Sequence, residues 1–171
     1  MQIFCKGLGC TLLLLSGAAI GFKTGERLSL RVKMLTEMLS ILQYLSTNLK
    51  YRQDTTCDAL RNMTQHCAVQ TLPFHLAPLT PQTLPYRLKT ALDKLQTETK
   101  EVLKQQELSL FCTALAEFGS ASAEEESKKL RGVQAELTEI HCKAKEDAMR
   151  DQKLYRALGI AGGVAAALLF V

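Results

Sequence analysis

Hydrophobic positions along this chain fall into three regimes. An apolar run stands near the start, a long middle brings apolar residues back every three or four positions, and a second apolar run ends at Val171. In the middle, Leu28, Val32, Leu35, Leu39, Leu42 and Leu49 mark one helical face. Leu30, Met34, Met38, Ile41 and Leu45 form a second stripe that widens it. A helix with so broad an apolar face belongs inside a bundle. No proline or other stop separates it from the first apolar run, so run and helix are expected to be continuous.

Further along, Tyr51 to Gln53 reads as a loop, and Asp54 as the N-cap of a short helix reaching about Cys67. All four prolines, Pro73, Pro78, Pro81 and Pro85, then crowd into a connector over residues 71–86 that cannot be one helix. It is the segment expected to be mobile or variable. Helical spacing returns with Leu88, Ala91, Leu92 and Leu95, and again with Val102, Leu103, Leu110, Ala114, Leu115 and Phe118. "FGSASAEEESKKL" reads as a corner. Gly119 can take the left-handed conformation that closes a helix, and Ser122 with Glu125 has the pattern of a capping box. Glu124 to Glu126 sit in the first turn of the next helix, where its dipole favours anions. Leu130, Val133, Leu137, Ile140, Ala144 and Ala148 share one face of that helix, which meets no stop before Gly159. No strand-like alternation of any length appears, and the expected fold is an all-α antiparallel helical bundle.

The two ends need a separate account, because every Asp and Glu lies between Glu26 and Asp151. Lys23, Arg27, Arg31 and Lys33 follow the first apolar run, and Lys143, Lys145, Arg150, Lys153 and Arg156 precede the second. Lys and Arg close to membrane ends mark the cytoplasmic side. The charge pattern therefore predicts transmembrane helices over 1–22 and 156–171 around a cytoplasmic bundle over 23–155. The first and last bundle helices would continue into them. Gly17, Gly21 and Gly25, and Gly159, Gly163 and Ala167, recur every four residues, a spacing that lets membrane helices pack closely. The alternative is a cleaved secretory signal, since Lys6, Leu12 to Leu15 and Ser16-Gly17-Ala18 have its three parts. That reading predicts a mature terminus near Ala18 or Ala19 and a secreted or tail-anchored helical protein with disulfides among its cysteines.

Candidate chemistry is sparse. A net charge of +4 with no basic recognition motif argues against nucleic-acid binding. His66-Cys67 and His141-Cys142, with Cys57 and Cys112, contain zinc-ligand types, but there is no Cys-x-x-Cys, and adjacent His and Cys point about 100° apart on a helix. No glycine loop with a phosphate-binding lysine is present. Neither a metal, a cofactor nor catalysis is expected.

Over essentially its full length the chain resembles the stage III sporulation protein AB family of endospore-forming bacteria. The resemblance is carried by "GFKTGERLSLR" from Gly21 to Arg31 and by Tyr51-Arg52-Gln53-Asp54-Thr55-Thr56, where the family has Tyr-x-x-Thr-Pro-Leu. Asp58-Ala59 stands in place of Glu-Ala. Phe118-Gly119 matches a corner at which Ser122 replaces an aspartate, with Glu126 and Lys128 near the family's glutamine and lysine. The closing "LGIAGGVAAALLFV" is similar to the family's last span. The resemblance implies a component of the mother-cell to forespore channel in the mother-cell membrane. It also implies a cytoplasmic domain similar to that of the type II secretion platform protein F, which docks a cytoplasmic ATPase, stage III sporulation protein AA, beside other stage III membrane proteins. On that reading Tyr51, Arg52, Asp58, Glu126 and Lys128 contact the partner. Gly119 and Ser122 shape the corner, and Gly17, Gly21, Gly159 and Gly163 pack the spans.

Overall fold

In a computed structural model the backbone is described for residues 2–51, 54–67, 69–74 and 80–170. Among the described residues there are five helices: α1 (Gln2–Tyr51), α2 (Thr56–His66), α3 (Leu84–Thr99), α4 (Gln105–Ala116) and α5 (Ala123–Phe170). Among the described residues there is no strand, as the spacing predicts. Two compact units are present, residues 33–142 and the paired terminal segments 1–32 with 143–171. Among the described residues no helix is long and apolar enough to cross a membrane. The side chains of residues 1–22, and with them Gly17 and Gly21, lie outside the described set, as do those of Gly159, Gly163 and most of the final run.

Residues 33–142 form the helical bundle. Thr36 Oγ1 lies 3.0 Å from His141 Nε2, and Gln134 donates to Gln43. Position rises along α1 as it falls along α5, so the two run antiparallel. Gln106 donates to Glu136 at 3.4 Å, and Lys129 meets Glu117 at 3.2 Å, giving α4 and α5 the same relation. The core is supplied chiefly by the second stripe of α1: Met34, Met38, Ile41 and Leu45 are buried, joined by Leu35 and Leu42 from the first. Leu60 and Met63 of α2, Leu95 of α3, Phe111 of α4 and Leu137 of α5 complete it. Each such side chain contributes about 1.5–3 kcal/mol through removal from water.

Three local features depart from the periodic reading. The cap of α2 is Thr55, whose hydroxyl accepts the Asp58 N–H at 3.2 Å, while Asp54 accepts a 2.8 Å bond from the amide of the buried Asn48. A hydroxyl one residue nearer the helix has the better reach, and Asp54 is drawn to α1 instead. The connector is anchored where it begins. Glu37 on α1 accepts N–H bonds from Gln70, Thr71 and Leu72 at 2.8–3.2 Å, and Leu72 and Phe74 enter the core, Phe74 edge-on to Phe111 with ring centroids 6.4 Å apart. Between α3 and α4 the chain breaks without glycine or proline. Thr99 is fully buried, its carbonyl accepts from Val102 and Leu103 at 2.9 Å, and the buried Glu107 accepts the Lys104 N–H at 2.9 Å to start α4.

Candidate functional site

The corner between α4 and α5 is built by one carboxylate. Glu126 is only 5% exposed, and its Oε1 accepts the Gly119 N–H at 2.5 Å and the Ala121 N–H at 3.1 Å. Charge-assisted bonds to backbone donors are among the strong ones, and here they turn the chain through Gly119 at φ +91°. The Ser122 hydroxyl accepts the Glu125 N–H at 3.4 Å, half of the capping pattern read from the sequence. Glu126 therefore shapes the corner from inside, whereas Lys128 is exposed.

Gly119 also meets the start of α2. A Cβ placed on it would lie 2.6 Å from Thr56 Oγ1 and 2.7 Å from Thr56 Cγ2, closer than side-chain atoms approach. Only glycine satisfies both the left-handed backbone and the missing space. The contact joins the two regions that the sequence marks separately, residues 51–58 and 119–128, at one end of the bundle. Asp58 faces this end, accepting the Thr55 hydroxyl at 2.6 Å and pairing with Arg61 at 3.4 Å. Tyr51 is 71% exposed, with the Lys50 ammonium 5.0 Å from its ring centroid. Arg52 lies outside the described residues.

Beside this contact a cleft of about 440 Å³ opens between the end of α1 and the start of α5, lined by Leu49, Lys50, Ala123, Glu124, Ser127, Lys128 and Arg131. Three cations face one carboxylate there. Among the described residues none of the three cations makes an ion pair; Arg131 only donates to the Ser127 hydroxyl at 3.1 Å. Arg131 lies one turn beyond Lys128 on α5, and the register of α1 against α5 brings Lys50 to both. On the other side of α5 lies an apolar groove of about 450 Å³ toward α4, lined in part by Leu110, Ala114, Phe118, Leu130 and Val133. The Lys129–Glu117 and Gln106–Glu136 links bracket it.

Among the described residues no group of three or more His, Cys, Asp or Glu could hold a metal. Cys57, Cys67 and Cys112 are buried and unpaired, and burial pushes the thiols of Cys67 and Cys112 up, which disfavours a nucleophilic thiolate. His66 stacks on Tyr44, with ring centroids 5.5 Å apart, and His141 lies against Thr36, so the two histidines occupy separate contacts. The arrangement suits binding: a basic cleft, an exposed aromatic ring and an apolar groove around the first turns of α5. The family profile described as Stage III sporulation protein AB matches residues 6–171. No curated protein and no solved structure gives a significant match.

Proposed function

The chain belongs to the stage III sporulation protein AB family, and on that premise we propose that it is a non-enzymatic membrane adaptor of the stage III sporulation channel. Family membership implies a role in stage III sporulation. In the proposed role the terminal apolar runs are two spans in the mother-cell membrane facing the forespore. The bundle between them is cytoplasmic and similar to the type II secretion platform protein F. The bundle end formed by α1, α2 and α5 docks the cytoplasmic ATPase, stage III sporulation protein AA. Tyr51, Arg52, Asp58 and Lys128 are contact residues on this reading, joined by Lys50 and Arg131. Glu126, Gly119 and Ser122 hold the corner, and the rows containing Gly17, Gly21, Gly159 and Gly163 pair the spans with each other or with neighbouring stage III membrane proteins.

The observation that carries the proposal is the meeting of the two marked regions at Gly119 and Thr56, next to a cleft with unneutralised cations. Exposed Tyr and Arg are the residue types that most often dominate protein interfaces. Charges of one sign around a cleft speed and orient association with a partner of the other. The test is a binding titration between the purified ATPase and the full-length chain in detergent. The double variant Lys128→Glu with Arg131→Glu should weaken Kd by about tenfold or more at low salt, equivalent to about 1.4 kcal/mol or more, with helical content unchanged. Wild-type affinity in a folded double variant would take the dock away from this end of the bundle.

A further inference from the structure

The two sides of α5 near its start differ in the sign of their charge. The groove toward α4 carries Glu117, Glu126 and Glu136 against Lys129, whereas the cleft toward α1 carries Lys50, Lys128 and Arg131 against Glu124. Among the described residues Glu124 makes no ion pair with any of the three, although Glu124 and Lys128 stand at the four-residue spacing that pairs acids with bases on a helix. Two of the cations are held in place from within the chain. Ser127, 8% exposed, accepts a bond from Arg131 Nη2 at 3.1 Å, one turn back along α5. That bond occupies one guanidinium donor and leaves the others of the planar fork for a ligand. The Lys50 ammonium rests 5.0 Å from the Tyr51 ring centroid.

We propose that Ser127 positions the Arg131 guanidinium as a fork for a carboxylate of the partner, which enters the cleft between Lys50, Lys128 and Arg131. Guanidinium and carboxylate match through two parallel N–H···O bonds. A fork already oriented by the protein loses less freedom when it makes them. The excess of cations sets the sign of the ligand on this side of α5 and not on the other, where carboxylates outnumber Lys129. Glu124, the cleft's own carboxylate, repels that ligand and holds its affinity down. This inference rests on the docking reading above and makes the occupant an acidic segment of the ATPase.

The experiment titrates the purified ATPase against the full-length chain in detergent at low salt, with circular dichroism to show that each variant is folded. Arg131→Gln should weaken binding by about tenfold or more. Arg131→Lys keeps the charge but loses the fork, and should still bind about threefold or more below wild type. Glu124→Gln should tighten binding by about threefold, because it removes a repulsion. Ser127→Ala should weaken binding by about threefold, Ser127→Thr should keep wild-type affinity, and Ser127→Ala should add nothing in an Arg131→Gln background. Folded Arg131 variants that both bind within about twofold of wild type would overturn the fork while leaving ATPase docking intact. Weaker binding by Glu124→Gln would overturn the acidic ligand. A loss from Ser127→Ala of equal size in both backgrounds would overturn its positioning role. Failure of wild type to bind would overturn the docking reading and this inference together. If light scattering instead shows the Arg131 variants breaking an oligomer of this chain with ATPase affinity unchanged, the occupant is a second copy and the proposal is wrong.

Discussion

Replacing Gly119 by alanine tests the junction of the two regions most sharply. Two costs arise, and they separate. A residue with a Cβ at φ +91° is strained by about 1–2 kcal/mol. The new methyl also meets Thr56 Oγ1 at 2.6 Å and Cγ2 at 2.7 Å, and overpacking of that kind costs about 1–3 kcal/mol. Together they amount to about 3 kcal/mol, a fall in Tm of roughly 6–12 °C for a chain of this size. Thr56→Ala removes both clashing atoms and leaves only the Cβ at 3.2 Å, which a small shift accommodates. In that background Gly119→Ala should cost about 1.5 kcal/mol, a coupling of the size found between residues in contact. The assay is unfolding of the four full-length proteins followed by circular dichroism. An equal loss in both backgrounds would refute contact with Thr56 as the cause. A loss below about 0.5 kcal/mol in the wild-type background would refute the left-handed corner itself.

Two further outcomes concern the bundle away from this end. Glu37→Ala leaves the N–H groups of Gln70, Thr71 and Leu72 without their carboxylate, and should cost about 2 kcal/mol; hydrogen exchange should speed up at Thr71 and Leu72 by about tenfold or more, and unchanged rates there would show that the turn is held by something else. Among the described cysteines, a maleimide should label the exposed Cys142 first, with Cys57, Cys67 and Cys112 protected until unfolding. Burial raises the Cys67 and Cys112 thiols above the ordinary thiol range, so the unfolded chain loses these protons before the folded chain does. The stability they contribute is complete below the ordinary thiol range and is lost as pH rises through it. A Tm that holds from neutral pH to about 8 and then declines is expected, with Cys67→Ala in a Cys112→Ala background reducing the decline; a decline of equal size in that variant would assign it to other groups.

The helices were legible because burial imposes its period on the sequence: the α1 stripe from Met34 to Leu45 and the α5 stripe through Leu130, Leu137 and Ala144 are where the apolar residues recur. Gly119 was legible as a corner for the same reason that it is irreplaceable, since a left-handed position favours glycine. What periodicity does not carry is the partner of a polar side chain. Glu126 reads as one of three acids in a first turn, yet it is the one of the three that turns inward. Asp54 and Thr55 both qualify as caps, and the choice depends on Asn48, which sits on another helix. The break after Thr99 has no glycine or proline to mark it and depends on a buried threonine and on Glu107. The basic cleft was legible only at Lys128; Arg131 stands one turn further along the same helix, and Lys50 becomes their neighbour through the antiparallel register of two helices far apart in sequence.

The corner held by Glu126 also bears on the order in which the chain assembles. The acceptor lies five and seven residues beyond the donors it binds, so the turn cannot close until the first turn of α5 has formed and brought the carboxylate back. Nucleating that turn is the slow part of making any helix, and the bonds that follow are local, with little loop entropy to overcome. The α4–α5 hairpin thus has a built-in starting point, while Thr56 must arrive from a distant part of the chain to find Gly119. This end of the bundle is seeded locally and finished by a long-range encounter, so a variant that slows the first step delays the meeting of Gly119 with Thr56 even when the final fold is unchanged.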